Sequence, residues 1–288
     1  MAGLPDQMEM SNSAVMRLVA VRFGYQPQEM VLNDIDVELQ SGTVTALIGP
    51  NAAGKSTLLR LMMGQYRPSH GRIELEGKQI SEFAATRRAE LISYVPQHSG
   101  LGFAYTVRQI IEMGGYVYGA DGGEAVDYSL KLCGLCDVQD RVMAHLSGGQ
   151  QQRVLLARAI VQSYKQGKVM LLDEPVSHMD LWHIHRSLLL LRHLAGKRGL
   201  AILVVLHDLN LAVRYADHVW LMANGRFTAV GPWRQVLRPE ILQPVYQVRM
   251  RLVDHGGDDR PLFFVEHADD TLIDETLISG SQDRCGSG

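Results

Sequence analysis

The sequence predicts an α/β fold: a mainly parallel sheet flanked by helices, an antiparallel β layer packed against it, and a helical stretch inserted mid-chain. Three observations predict it. Short apolar runs alternate with helical patterns through much of the 288 residues, which implies parallel strands joined by crossover helices. Three strand patterns with glycine turns precede any long helix, which points to an antiparallel layer. The third of them, residues 43–48, leads into Gly49-Pro50-Asn51-Ala52-Ala53-Gly54-Lys55-Ser56-Thr57 and then a helical pattern over 56–63.

That nine-residue run fits G-x-x-x-x-G-K-[ST]. In such a loop backbone N–H groups cradle phosphate oxygens and the lysine neutralises the outer phosphates. The start of the following helix adds unpaired N–H donors and a partial positive charge. A plain glycine-rich turn would explain the glycines through φ > 0 or close backbone approach. The strand before and the helix after favour the phosphate reading, so residues 49–57 are expected to bind a nucleotide.

The remaining elements follow in order. Residues 14–22 alternate apolar positions and read as a strand, followed by Phe23-Gly24-Tyr25, and 31–39 give a second strand. Residues 72–75 add another before Gly77, and 91–96 make a strand stopped by Pro96 with Gln97 at its end. From about 101 to 162 the pattern is mostly helical, with Thr106 capping 107–113 and a further helix over 124–132. Ser147 is placed to N-cap the helix that continues through 154–161, and Gly148 and Gly149 leave N–H groups accessible, a second anion-receptor pattern. Residues 169–172 are a fully apolar strand ending in Asp173-Glu174-Pro175. A helix over 181–194 leads to an apolar strand over 201–206 that ends in His207-Asp208. Asn224-Gly225 between two strand patterns is a strong hairpin signal. No internal repeat is visible, and 279–288 are expected to be disordered.

Composition bounds the function. Hydrophobic residues at 46% and charged residues at 20% are ordinary globular values, and a net charge of −3 gives no general attraction to nucleic acid or anionic lipid. No apolar run approaches the roughly 20 residues that span a bilayer, so a membrane role would come through a partner. Residues 1–12 lack the apolar core of a secretory signal. Three cysteines make no disulfide framework and point to a reducing compartment. Cys133 and Cys136 form C-x-x-C, but no second ligand pair follows, so both are expected to be small buried residues at the end of an amphipathic helix.

Residues 146–150, Leu-Ser-Gly-Gly-Gln, match the signature of the ATP-binding cassette (ABC) family letter for letter. The surrounding motifs resemble the family's in order, from about residue 14 to 253. Tyr25 resembles the aromatic residue that stacks on adenine, and Gln97 the glutamine that senses the γ-phosphate and Mg²⁺. Residues 171–175 resemble the Walker B strand with its catalytic glutamate, 177–180 the loop usually written S-A-L-D, and His207 the switch histidine. The resemblance implies a RecA-like P-loop NTPase core over 14–253, with a helical signature subdomain inserted at about 98–165 and a C-terminal extension over 254–288.

The chemistry is consistent with these roles. Asp173 at a buried strand end suits a Mg²⁺ ligand beside Ser56, with Gln97 contributing. Glu174 can polarise water for attack on the γ-phosphate, an effect worth typically about 10²–10⁴ in rate. His207 can hydrogen-bond a γ-phosphate oxygen. Tyr25 could equally pack beside Phe23. Ala52 stands where many relatives have glycine, and a positive φ there would cost roughly 1–2 kcal/mol. His178 and Met179 replace a small residue and a leucine.

In the family, the signature of one copy closes on ATP held by another copy's phosphate loop. Ser147, Gly148, Gly149 and Gln150 are therefore expected to act in trans, with a second copy of the chain as partner. The resemblance further implies transmembrane permease subunits, an indirect link to a substrate-binding protein, no nucleic acid, and a peripheral place on the cytoplasmic face of the cell membrane. Residues 207–212 and 231–246 look like importer ATPases for iron–siderophore, haem and vitamin B12 complexes. Gly114-Gly115-Tyr116-Val117-Tyr118 partly resembles that group's permease-facing G-R-Y-P-H. Alternatives are an ABC exporter ATPase, a soluble ABC ATPase of translation or repair, and a small-molecule P-loop kinase. The kinase would not need residues 146–150. The soluble forms usually carry two cassettes or long coiled-coil insertions, which are absent.

Overall fold

The computed structural model describes residues 13–26, 28–97, 104–253 and 260–266, with backbone alone for 117–121. The chain opens with an antiparallel pair, β1 (Ala14–Gln26) and β2 (Glu29–Gln40), then β3 (Val44–Ile48) and helix α1 (Lys55–Met62). Strands β4 (His70–Leu75) and β5 (Lys78–Gln79) follow, then α2 (Ala85–Leu91) and β6 (Ile92–Val95). The helical stretch holds α3 (Val107–Glu112), a 3₁₀ segment (Met113–Gly122), α4 (Gly123–Cys133) and α5 (Gly148–Gln162). The core resumes with β7 (Val169–Leu172), α6 (Leu181–Arg198), β8 (Ala201–Val205), α7 (Leu209–Tyr215), and the hairpin β9 (His218–Ala223) and β10 (Arg226–Pro232). The described chain ends with α8 (Trp233–Val236), α9 (Pro239–Tyr246), β11 (Met250–Val253) and β12 (Leu262–Val265).

The main sheet runs β10-β9-β3-β8-β7-β6, parallel except for β10. Its central strands are buried on both faces, and alternate residues feed two separate cores. Val44, Ala46, Ile48, Met170, Leu172, Ile202 and Val204 point into the core shared with α5 and α6. Leu47, Val169, Leu171, Leu203 and Val205 point into the core shared with α1 and the antiparallel layer. All parallel strands therefore end on one edge, where β3, β6, β7 and β8 deliver the phosphate loop, Gln97, Asp173-Glu174 and His207.

The antiparallel layer runs β2-β1-β4-β5. The third early strand does not belong to it: β3 sits in the main sheet between β9 and β8, and β4 takes the place beside β1. The physical reason is burial. All five residues of β3 are covered on both faces, whereas β1 and β2 alternate buried and open positions. Helix α2 and the hairpin β11–β12 are additions with no sequence-level signal, being a short helix and two four-residue strands. That hairpin carries folded structure to residue 266, across the expected boundary at 253. Residues 98–103 and the expected disordered end, 279–288, lie outside the described residues.

Capping agrees with expectation. Thr106 and Gln109 form a reciprocal capping box on α3, and Ser147 and Gln150 form another on α5. The turn Asn224-Gly225 has φ of +50° and +70°, the left-handed pair of a type I′ hairpin. It also ties three parts of the molecule together. The Gly225 N–H donates to the Ala53 carbonyl of the phosphate loop (3.1 Å), and the Asn33 N–H of β2 donates to the Gly225 carbonyl (2.8 Å). A Cβ on Gly225 would lie 2.1 Å from the Val31 carbonyl oxygen. Gly225→Ala is therefore expected to cost about 2 kcal/mol or more, from a left-handed alanine and a backbone clash together. A urea titration of the two proteins measures it; an unchanged midpoint would contradict this account of the turn.

Candidate functional site

The phosphate loop is shaped by two glycines that cannot be replaced. Gly49 has φ +147°, and a Cβ there would meet the Met222 carbonyl oxygen at 2.0 Å. Gly54, at φ +103°, is the N-cap of α1 and has no side-chain cap, so the first-turn N–H donors face the cleft. Lys55 folds back over the loop, its ammonium donating to the Gly49 and Pro50 carbonyls at 2.8 Å each. Burial pushes its pKa down, against the pull of Glu174 and Asp173. Asn51, Ala52, Ala53, Gly54, Lys55, Ser56, Thr57, Val31 and Glu174 line one cleft of about 290 Å³. Ala52 does adopt a left-handed backbone, φ +61°, so the Cβ cost raised by the sequence is present.

Asp173 ends β7 almost fully buried, with its carboxyl bonded to Ser56 and to Tyr94. Burial raises its pKa, the Ser56 hydroxyl opposes that, and neighbouring Glu174 raises it further. Burial and Asp173 push the Tyr94 phenol up to about 12, so it stays a neutral donor. Hydroxyl, carboxylate and amide oxygen atoms from Ser56, Asp173 and Gln97 are the donor set a hard divalent cation takes. Among the described residues no cluster of three or more His, Cys, Asp or Glu could hold a metal alone.

Glu174 is the meeting point. Its Oε1 lies 2.5 Å from His207 Nε2, and its Oε2 accepts from Gln97 Nε2 at 2.8 Å. Three residues chosen from three separate strand ends thus converge on one carboxylate. A fourth was missed. Gln152 of α5 is buried, and its amide donates to the Gln97 carbonyl (3.0 Å) and the Glu174 carbonyl (3.5 Å). Nothing in the run Gln150-Gln151-Gln152 marks which glutamine turns inward.

Tyr25 stands at the rim, about half exposed, with its hydroxyl 3.1 Å from Thr57 Oγ1. Its ring meets Phe23 and Tyr66 edge-on at 5.1 and 5.6 Å. Tyr25 packs beside Phe23 and still leaves half of its surface exposed. Tyr66 is a further aromatic that sequence reading did not select.

The signature lies elsewhere. Ser147, Gly149, Gln150, Arg153, His178, Met179, Asp180 and His183 line a second cleft of about 410 Å³, which shares no residue with the first. Gly149 is required by close approach: a Cβ would meet the His178 carbonyl oxygen at 2.7 Å, while that of Gly148 would touch the His178 side chain at 3.2 Å. Met179 keeps the apolar role of the usual leucine, packed against the core. Of the C-x-x-C pair, Cys133 is buried and its thiol pKa is pushed up to about 12, but Cys136 is exposed, against expectation. It lies in a 3₁₀ turn just past α4, whose C-cap is the left-handed Gly134.

The ABC transporter family matches residues 32–177. The hemin import ATP-binding protein HmuV of Vibrio parahaemolyticus serotype O3:K6 is 38% identical over 85% of this chain and 95% of its own length. HmuV of Pseudomonas fluorescens (strain Pf0-1) is 38% identical over 82% and 94%. Among solved structures, an inward-facing metal-chelate type ABC transporter superimposes with a TM-score of 0.76 at 28% identity, covering 91% of this chain and all of the other. A bacterial Atm1-family ABC exporter with ATP bound gives 0.70 at 27% identity, over 80% of this chain and 41% of the other.

Replacing Ala52 with glycine removes the left-handed Cβ. Ala52→Gly is expected to add about 1 kcal/mol, or roughly 2–4 °C in thermal midpoint, as read by scanning calorimetry. A lower midpoint would show that the loop is not strained at this residue.

Proposed function

This chain belongs to the ABC transporter family, and we propose that it powers import of haem or a similar iron chelate through a membrane permease, acting as a pair of copies. It hydrolyses ATP as a transporter subunit. The observation that carries the two-copy reading is the separation of the two clefts. A signature that lines a cleft sharing no residue with the phosphate loop's cleft is free to complete a site on another copy.

In this reading ATP lays its phosphates on the N-terminus of α1, and Lys55 exchanges two carbonyl partners for the outer phosphates. Ser56, Asp173 and Gln97 would hold Mg²⁺, which would supply positive charge against the phosphates. Glu174 accepts a proton from the water that attacks the γ-phosphorus, as the bond to the ADP oxygen breaks. His207 and Gln97 hold that carboxylate in position, and its remaining lone pairs stay available to water. Tyr25 offers its open ring face to adenine. Ser147, Gly149 and the N–H groups of α5 close over the phosphates bound to the partner copy. Shifting an open–closed equilibrium from 1:99 to 99:1 takes about 5.5 kcal/mol, which two ATP molecules can supply through charge-assisted contacts.

Import of an iron chelate is supported by near full-length relatives that are hemin import proteins. The fold itself does not choose direction, because the core superimposes on an exporter about as well as on several other cassettes. No helix among the described residues is long and apolar enough to cross a membrane, which fits a subunit docked peripherally on its permease. Tyr116, 89% exposed in the segment resembling the permease-facing motif, is a contact suited to that docking. The side chains of Val117 and Tyr118 lie outside the described residues.

Two measurements test the proposal. Glu174→Gln is expected to bind ATP, accumulate as a dimer in size-exclusion chromatography with ATP, and lose at least about 10²-fold in kcat; normal turnover would remove Glu174 as the base. With its permease in proteoliposomes, ATPase activity is expected to rise with a haem-loaded binding protein. Stimulation by a non-metal substrate instead would sink the chelate assignment.

A further inference from the structure

The C-terminal hairpin grips both ends of α7, the helix that begins just after His207. Asn210, in its first turn, makes two bonds to one residue of β12. Its Nδ2 donates to the Phe263 carbonyl at 3.2 Å, and the Phe263 N–H donates to its Oδ1 at 2.7 Å. The side-chain amide thereby replaces a neighbouring strand at the open edge of the hairpin. At the other end, the Arg260 guanidinium donates to the Val213 and Arg214 carbonyls, last-turn acceptors that a helix leaves unpaired. The same guanidinium lies 5.4 Å from the centre of the Trp233 ring. Phe263 and Met250 bury their side chains in the main core, so the hairpin is anchored.

Helix α7 has seven residues, too few to hold itself together without tertiary support. Its N-cap is Asp208, whose Oδ1 accepts from the Asn210 and Leu211 N–H groups at 2.7 and 3.4 Å. Asn210 thus uses its backbone to complete the cap that follows His207 and its side chain to hold the hairpin. On the other flank of His207, the Leu206 N–H is fixed to the Leu47 carbonyl of β3 at 3.2 Å. The orientation of His207 is set between these two anchors, and its ring is nearly half exposed.

We propose that the β11–β12 hairpin is a strap that fixes α7 and, through it, the reach of His207 to Glu174, with Asn210 as the positioning residue. This rests on His207 acting in hydrolysis as described above. The strap gives the C-terminal hairpin a part in ATP hydrolysis although it lies outside every recognised motif.

A double-mutant cycle on the full chain tests it, reading ATPase kcat, the Kd of a fluorescent ATP analogue, and the thermal midpoint. Asn210→Ala is expected to lower kcat about tenfold or more with Kd unchanged, since a misplacement of an ångström at the reacting group has effects of that order. Asn210→Asp keeps the acceptor and loses the donor, and is expected to fall between. In a His207→Ala background, Asn210→Ala is expected to reduce kcat no further. Arg260→Ala loosens the other end and serves the same cycle if Asn210→Ala fails to fold. Full kcat in folded Asn210→Ala and Arg260→Ala, or an equal further loss without His207, would overturn the strap while leaving His207 in place. Undiminished kcat in His207→Ala alone would overturn the role of His207 and the strap with it.

Discussion

The carboxylate of Glu174 is shared between His207 and Gln97, and its backbone is held at φ +50°, a region that costs a side chain about 1–2 kcal/mol. The strain has a geometric purpose. In a regular strand Asp173 and Glu174 would point to opposite faces. A left-handed residue two places past β7 breaks that alternation, so both side chains serve one cleft, Asp173 through Ser56 and Glu174 through the lining itself. The Gln97 hydrogen bond, of a kind worth about 0.5–1.5 kcal/mol net, and the close His207 contact together offset much of such a cost.

The phosphate cleft is arranged in the same spirit. Burial lowers the pKa of Lys55 and raises that of Asp173, so both charges are less comfortable than in water. The loop adds a left-handed alanine and a helix N-terminus without a side-chain cap. A phosphate with its counter-ion would relieve the buried charges and the uncapped helix end, because polar groups already aimed at the charge need no reorganisation, while the Ala52 strain would stay. The fold supplies rigidity for this: β3 is central in the sheet, and Gly225 ties the loop to β9, β10 and β2.

What the sequence made legible was local. The glycines of the loop, the Ser147 and Thr106 caps, the Asn224-Gly225 turn and the apolar strands ending in Glu174 and His207 each depend on a few adjacent residues. The parts that were not legible depend on distant ones. Gln152 is one of three consecutive glutamines, and only the packing of α5 against β6 and β7 selects it. Strand β3 looked like a third antiparallel strand because its register is decided by partners more than 150 residues away. The β11–β12 hairpin has four paired residues on each side and owes its place to Asn210 and Arg260, which lie in different parts of the sequence. Cys136 was misplaced because α4 ends at Gly134 and the following 3₁₀ turn buries Leu135 instead, leaving Cys136 exposed.

Helix α5 connects the two clefts. Ser147, at its cap, faces the signature cleft, and Gln152, five residues on, holds the backbone of Gln97 and Glu174. At 1.5 Å per residue these groups are about 7.5 Å apart along one helix axis. A helix of fifteen residues packed on its neighbours is a single rigid element, so in the proposed two-copy cycle a tilt that carried Ser147 toward another copy would also shift the amide that supports Gln97 and Glu174. The loop after Glu174 adds a second link: it turns tightly through Val176 and Met179, and its His178 carbonyl lies against Gly149. Gly149 must therefore be glycine for a reason that a motif alone does not disclose. Its missing Cβ lets the loop that leaves Glu174 pass directly against the signature surface that is proposed to close on another copy.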